Sequence, residues 1–291
     1  MLVRRSYQQA VNKGRFLNME WKNIYRGLIM GSSDVIPGIS GGTIAVLLGI
    51  YDRLIEGING IFTKEWKKHL SFLLPLAIGI AIAILSLSHV IGWLLEQHSG
   101  PTYFFFLGLI IGVLPFLFRE ADARARFKGK HIILLVVGLL AVGSLVFFND
   151  PDQGLIITNK TAGTYGLLFI SGFFASAAMI LPGISGSLVF LIMGVYPTIM
   201  DGLSNLDWLL ILFTGMGIFL GILSMSKVIH FFLERYRTAA FAMIIGSVIG
   251  SIVVIFPGWP INNKLAFISI ATFVIGLFVA YLLGKVEYDE N

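Results

Sequence analysis

The chain lacks cysteine and is poor in charge, and both shortages limit what it can be. None of its 291 residues is cysteine and only 13% are charged, whereas 56% are hydrophobic. The missing thiols exclude disulfides and cysteine-ligated metals. The charged share is about half of the roughly 25% found in soluble domains. Together with a mean hydropathy of +0.86, this composition indicates a membrane protein, because a soluble fold could not bury so much apolar surface.

Residues suited to catalysis or to nucleotide binding are also scarce. Only five histidines occur, and most of them lie near the ends of apolar segments, without a basic cluster beside them. A membrane phosphatase acting on a lipid pyrophosphate would need such a cluster, which disfavours an enzyme. The phosphate-binding loop GxxxxGKS/T is absent, so nucleotide hydrolysis is not the expected energy source. We expect neither a metal nor a cofactor.

Hydropathy divides the chain into eight apolar blocks, two of which are broken. Six blocks have ordinary spanning lengths: 70–95, 102–118, 131–148, 207–233, 239–256 and 265–284. The longer blocks 24–58 and 164–199 contain PGISGG and PGISGS near their middles. Proline removes a backbone donor and glycine adds backbone freedom, so each motif is expected to interrupt a helix. The breaks are formed by Pro37, Gly38, Pro182 and Gly183.

The distribution of basic residues distinguishes a kinked span from a re-entrant hairpin. If both broken blocks are hairpins, the segments on the N-terminal side of the membrane hold 17 Lys and Arg residues and the opposite segments hold 2. If both were full spans, the basic loop 119–130 would lie outside, against the positive-inside bias. The sequence therefore predicts an all-α polytopic membrane protein with six spans, two hairpins and both termini in the cytoplasm. Basic cytoplasmic loops explain the net charge of +5 without a nucleic-acid partner.

The chain contains an internal repeat. PGISGGTIAVLLGIYDRLIEGI (37–58) aligns without gaps with PGISGSLVFLIMGVYPTIMDGL (182–203), and eight of the 22 positions are identical. ILSLSHVIGWLLE (84–96) likewise matches ILSMSKVIHFFLE (222–234). Each repeat has one hairpin and three spans, and because three is odd the second copy enters from the opposite side, as in many transporters. The predicted units are a basic cytoplasmic segment 1–23, repeat 1 at 24–148, an extracellular linker 149–163, repeat 2 at 164–284 and a cytoplasmic tail 285–291.

The two breaks are predicted to meet near the membrane midplane and to bind an anion. Ser40 and Ser185 stand at the N-cap positions of the returning helices, and the residues after them supply free N–H groups at the positive end of a helix dipole. The structural alternative is that small residues at both tips merely allow close helix packing. The candidate phosphate-binding residues are Ser40, Gly41, Gly42, Thr43, Ser185, Gly186 and Ser187.

Ionisable residues inside apolar blocks are rare and are candidates for coupling or gating. They are Asp34, His89, Lys227, Arg53, Glu96 and Glu234. Asp34, close to the first break, is either a protonation site or a partner for hydroxyl and N–H groups. His89 and Lys227 occupy equivalent positions, toward the outside and the inside respectively, each seven residues before a boundary acid. Either they receive an anion or they are a packed histidine and a snorkelling lysine. Arg53 is a gate or a solvated residue at the cytoplasmic mouth.

The stretches GSSDVIPGISGGTIAVLLGIYDRLIEGI (31–58) and SAAMILPGISGSLVFLIMGVY (176–196) resemble the two signature stretches of the PopT family of bacterial membrane proteins. The resemblance covers nearly the whole chain. It implies that the protein returns undecaprenyl phosphate, the C55 lipid carrier, from the outer to the inner leaflet of the bacterial cytoplasmic membrane for reuse in cell-envelope synthesis. The residues alone indicate an anion transporter, so a secondary transporter of a small soluble anion remains the alternative.

Energy considerations predict proton coupling. Each negative charge that moves inward against the membrane potential costs ~2.3 kcal/mol per 100 mV. By analogy with phosphorylated side chains, a phosphate monoester carries about 1.5 to 2 negative charges at neutral pH. Cotransported protons would offset this cost. Asp34 is the first candidate proton carrier and His89 the second, while Lys227 would attract the phosphate toward the inner leaflet.

Overall fold

The computed structural model describes residues 19–34, 39–148, 156–260 and 262–289. Within these ranges the regular structure is entirely helical, as predicted. Pro37 and Gly38 lie outside the described residues, as do most of the basic N-terminal segment and much of the linker 149–163.

The helices fall into two halves along the chain. The first half contains α1 (Asn23–Asp34), α2 (Gly41–Leu47), α3 (Tyr51–Gly60), α4 (Trp66–Glu120), α5 (Ala123–Arg126), α6 (Gly129–Gly143) and a 3₁₀ turn (Ser144–Phe148). The second half contains α7 (Ala162–Ile180), α8 (Gly186–Ile192), α9 (Tyr196–Ser204), α10 (Trp208–Arg235), α11 (Arg237–Ile255) and α12 (Asn263–Asp289). Helix α4 consists of two arms, because the backbone of His98 is not helical.

The protein is a multi-pass membrane protein, and seven helical segments among the described residues are long and apolar enough to span. Six of them match the predicted spans, and the seventh is α7, the first part of the predicted hairpin 164–199. The sequence suggested a break near the middle of that block. The structure has the break at this place: 19 continuous helical residues precede it, and α7 ends there because Leu181 precedes a proline and is extended. Beyond the break, α8 and α9 are bent by 117°.

Residues that the repeat makes equivalent adopt the same backbone conformation. Gly49 and Gly194 turn the chain after α2 and after α8 with φ of 63° and 69°, values that glycine adopts at little cost. His98 separates the two arms of α4 at φ −139° and ψ 41°, and Tyr236 separates α10 from α11 at φ −136° and ψ 43°. The two halves therefore share one order of helices and bends. Their opposite orientation in the membrane remains a prediction.

Glycine contacts bring helices together at equivalent places. Helix α1 crosses the first arm of α4 at Gly27 and Gly79, where an added Cβ would overlap backbone atoms of the other helix. Helix α7 crosses α10 in the same way at Gly172 and Gly217, which are the counterparts of that pair in the repeat. Close backbone approach through small residues is a major source of helix association in lipid.

Two other helix pairs combine one helix from each repeat. The second arm of α4 packs on α12, and α6 packs on α11. Gly108 lies against the backbone of Phe273 in the first pair, and Gly246 lies against the backbone of Leu135 in the second. Each repeat thus gives its last helix to the other, and neither repeat is a separate packing unit. Helix α2 lies inside this arrangement, and all seven of its residues are buried.

Candidate functional site

The two breaks contact each other directly. Ser40 Oγ donates a hydrogen bond to the carbonyl oxygen of Met179 at 2.9 Å, and the Gly183 N–H donates to Thr43 Oγ1 at 2.9 Å. Tyr51 donates from its hydroxyl to the carbonyl oxygen of Ile180 at 3.2 Å. Side chains around α2 therefore satisfy backbone groups that the second break leaves without helical partners. This is the condition under which irregular backbone is tolerated at membrane depth.

At the first break, the N–H groups at the start of α2 are already occupied. Asp34 Oδ1 accepts from the Gly41 N–H at 2.6 Å, and Ser40 Oγ accepts from the Gly42 N–H at 3.1 Å. The sequence suggested that these groups were free for a phosphate. In this conformation a carboxylate of the protein takes the place at the positive end of the helix. Of the two roles considered for Asp34, the structure shows the second, because its carboxylate accepts a hydrogen bond from a backbone N–H group.

At the second break, the equivalent groups are not capped by side chains. Ser185 makes no side-chain cap to α8, and its Oγ lies 2.7 Å from Ser187 Oγ. Met179 replaces Asp34, and a Cβ added to Gly186 would lie 3.5 Å from Met179 Cβ. In the part of the chain that the structure describes, the N–H groups of Gly186 and Ser187 have no hydrogen-bond partner. The two breaks therefore differ chemically, although their sequences are nearly the same.

The predicted shared cavity does not include Ser40 in this conformation. Ser40 is 1% exposed, and its hydroxyl is directed at the second break. Ser185 is also buried. Gly183 has φ of 95°, and an added Cβ would lie 2.5 Å from the carbonyl oxygen of Ser247. The second break is thereby fixed between α2 and α11, and Pro182 beside it is buried as well.

The other charged candidates lie away from the breaks. Lys227 is exposed on α10 and has no ion-pair partner among the described residues. Glu96 is exposed, and the side chain of His89 lies outside the described part. Arg53 pairs with Glu20 at 2.7 Å. His230 Nε2 lies 3.3 Å from the last of these candidates, Glu234. Pairs as exposed as these contribute little to stability, and the structure does not join them to the contact between the breaks.

The sequence did not single out the ion pairs of Arg237. Its guanidinium binds Asp52 at 2.6 Å and Glu120 at 2.5 Å. These contacts join the start of α3 to the end of α4 and the start of α11. A signal was present, since all three residues lie at the ends of apolar blocks on the same predicted side of the membrane. Sequence reasoning counted Arg237 only as part of the orientation signal.

Comparison with known proteins finds a matching family and two relatives that are named transporters. The family model described as undecaprenyl phosphate translocase-like matches residues 30–274. A protein of Staphylococcus aureus named polyprenyl-phosphate transporter is 41% identical over 280 residues, which cover 94% of this chain and 99% of that protein. A Vibrio cholerae protein of the same name is 36% identical over 259 residues, 82% of this chain and 80% of that protein. No solved structure gives a significant match.

Proposed function

Because the chain belongs to the undecaprenyl phosphate translocase-like family, we propose that it carries undecaprenyl phosphate, or a related polyprenyl phosphate, across the bacterial cytoplasmic membrane. The direction is from the outer to the inner leaflet, which returns the carrier for cell-envelope synthesis. The role is transport rather than catalysis. The observation that carries the proposal is the direct contact between two breaks that are capped differently. At the first break a carboxylate accepts from an N–H group at the start of α2, whereas at the second break no side chain caps the start of α8.

We place the lipid phosphate at the second break. The hydroxyls of Ser185 and Ser187 and the N–H groups of Gly186 and Ser187 are grouped there, and Met179 brings no negative charge. Glycine at position 186 permits close approach of a phosphate oxygen to the backbone. The first break, with Gly41, Gly42 and Thr43, would bind phosphate only after Asp34 has left the start of α2.

This difference suggests how protons couple to the lipid. An ionised Asp34 holds the Gly41 N–H and repels a second anion. A protonated Asp34 is a weaker acceptor and carries no charge, so a phosphate would replace it at lower cost. Proton uptake would then accompany phosphate binding at the first break, and the lipid would move inward with part of its charge compensated. Lys227, exposed on α10, would attract the phosphate during its approach to the inner leaflet.

The test is leaflet exchange in liposomes that contain the purified protein. A fluorescent polyprenyl phosphate is followed by quenching from one side, with inorganic phosphate as the competing substrate. We expect exchange of the lipid that a tenfold excess of inorganic phosphate does not inhibit. Uptake of inorganic phosphate without lipid exchange would instead support the transporter of a small soluble anion. Empty liposomes serve as the control.

A further inference from the structure

A second polar site lies at the end of α4, away from both breaks. A cavity of about 590 Å³ opens there, and it is lined by Pro115, Phe118, Arg119, Asp122, Ala123 and Arg124. None of these residues belongs to the breaks. Asp122 turns the chain after α4 with φ of 47°, so α5 follows at once and adds Ala123 and Arg124 to the wall that begins on α4.

The cavity has an excess of unpaired positive charge. The Asp122 carboxylate is held by Arg126 Nε at 3.0 Å, and the nearby Glu120 is held by Arg237. Arg119 and Arg124 are exposed and have no ion-pair partner within the described ranges of the chain. Both acidic groups of the segment 119–130 are therefore neutralised. The two free guanidinium groups determine the electrostatic character of the cavity.

The rest of the wall is apolar and lies where a span leaves the lipid. Pro115 and Phe118 belong to the last turns of the span-capable segment Trp93–Glu120, and the Phe118 ring packs on the Phe127 ring with centroids 6.5 Å apart. The cavity thus presents apolar carbon toward the membrane and guanidinium groups beyond its edge. A guanidinium group can bind two phosphate oxygens at once through parallel N–H bonds. Basic pockets at the cytoplasmic edge of membrane helices bind lipid head groups.

We infer that this cavity binds the phosphate head group of a lipid phosphate, with Arg119 and Arg124 on the phosphate and the first carbons of the chain against Pro115 and Phe118. In the predicted orientation the cavity faces the inner leaflet, where a carried lipid is released. The choice of a polyprenyl chain rests on the proposed function. The head-group site itself rests on the charges and on the shape of the cavity.

Photolabelling of the full-length protein in detergent micelles tests this inference. The probe is a short polyprenyl phosphate with a diazirine on its first isoprene unit, and labelled peptides are identified by mass spectrometry. We expect label on the peptide that contains residues 115–124. Replacing both arginines (R119Q/R124Q) should lower that label about tenfold, because two charge-assisted contacts are lost. The matched control K128Q/K130Q removes two charges from the same basic loop, outside the cavity lining, and should keep the label.

Competitors distinguish the possible sources of the phosphate. Unlabelled polyprenyl phosphate should remove the label, and equal competition by phosphatidic acid would support a lipid-phosphate site without prenyl selectivity. Equal competition by inorganic phosphate would overturn the lipid part of the inference. The site would be overturned if R119Q/R124Q protein that elutes normally from a sizing column is labelled as strongly as the wild type. If wild-type protein is labelled in this way but exchanges no lipid in liposomes, the proposed transport fails and the cavity site stands.

Discussion

The carbonyl oxygen of Met179 accepts a hydrogen bond from Ser40 Oγ at 2.9 Å, and Met179 is also the residue that stands in repeat 2 where repeat 1 has Asp34. The same position therefore supplies a carboxylate to one break, and a backbone acceptor and an apolar side chain to the other. This difference would allow phosphate to bind at the second break, because no carboxylate of the protein competes there for the N–H groups. The first two predictions concern these two residues.

Met179→Asp should inhibit transport by placing a carboxylate beside Gly186, as Asp34 lies beside Gly41. The new charge would accept from the free N–H groups and repel phosphate, and we expect the rate of lipid exchange to fall at least tenfold, the effect of about 1.4 kcal/mol. Met179→Leu, which keeps size and polarity, is the control and should exchange lipid at nearly the normal rate. Normal exchange by the aspartate variant would contradict a phosphate site at the second break.

Asp34→Asn should remove the pH dependence of transport. Asparagine can still accept from the Gly41 N–H but cannot bind and release a proton. In liposomes with an imposed pH gradient, the wild type should accumulate lipid phosphate in the leaflet on the alkaline side, and the variant should only equilibrate it. Gradient-independent transport by the wild type would remove proton coupling. A variant with unaltered pH dependence would leave His89 as the candidate carrier.

Gly186→Val should abolish lipid exchange while the protein still inserts, because a branched side chain covers the N–H groups of the second break. Gly186→Ala should be milder, since its Cβ would lie 3.3 Å from the nearest atom, the carbonyl oxygen of Ala175. Ser40→Ala should cost about 0.5–2 kcal/mol through the lost cap and should reduce exchange less than the valine does. Membrane yield and liposome exchange are measured together. Full exchange by Gly186→Val would mean that this tip only packs.

Gly217→Val should destabilise the protein much more than Gly215→Val, although both lie on α10. A Cβ at Gly217 overlaps the backbone of Phe169, whereas nothing lies within 4 Å of a Cβ at Gly215. Overpacking of this kind costs about 1–3 kcal/mol or more. Thermal unfolding in detergent should show a clear fall in Tm for the first variant alone. Equal falls in Tm for both variants would indicate that valine destabilises α10 through its lower helix propensity, and not by disturbing the crossing with α7.

Arg237→Gln should weaken the link between α3, α4 and α11 with only a small loss of stability. The guanidinium and both carboxylates are partly exposed, and such pairs contribute about 1 kcal/mol or less each. A double-mutant cycle with Asp52→Asn, followed by chemical unfolding, measures the coupling directly. A coupling well above 2 kcal/mol would show that the contact is shielded from solvent more than its exposure indicates.

The sequence predicts the helical class, the six spans, the internal repeat and the places of the two breaks, because apolar length and the PGISG motifs are local signals. It gives Asp34 two alternative roles, a protonation site or a partner of N–H groups, and does not decide between them. Capping by a side chain seven residues away depends on the angle between two helices, which hydropathy does not report. The motif PGISGS places the second break correctly within block 164–199, but it does not predict that α7 before the break is long enough to span a membrane. The ion pairs of Arg237 were missed because the signal for them, three charged residues at block ends on one predicted side, does not tell which helix ends are adjacent.

The exchange of final helices between the repeats determines the order in which the chain can assemble. The second arm of α4 is synthesised long before its partner α12, which is the last helix that the structure describes. Until α12 has been inserted, the glycine face at Gly108 lacks the partner that it has in the folded protein. The two repeats are in this respect similar to two subunits of a dimer that are joined in one chain. Two half-length chains expressed together should reconstitute it, whereas either half alone should be left without its partners and be degraded.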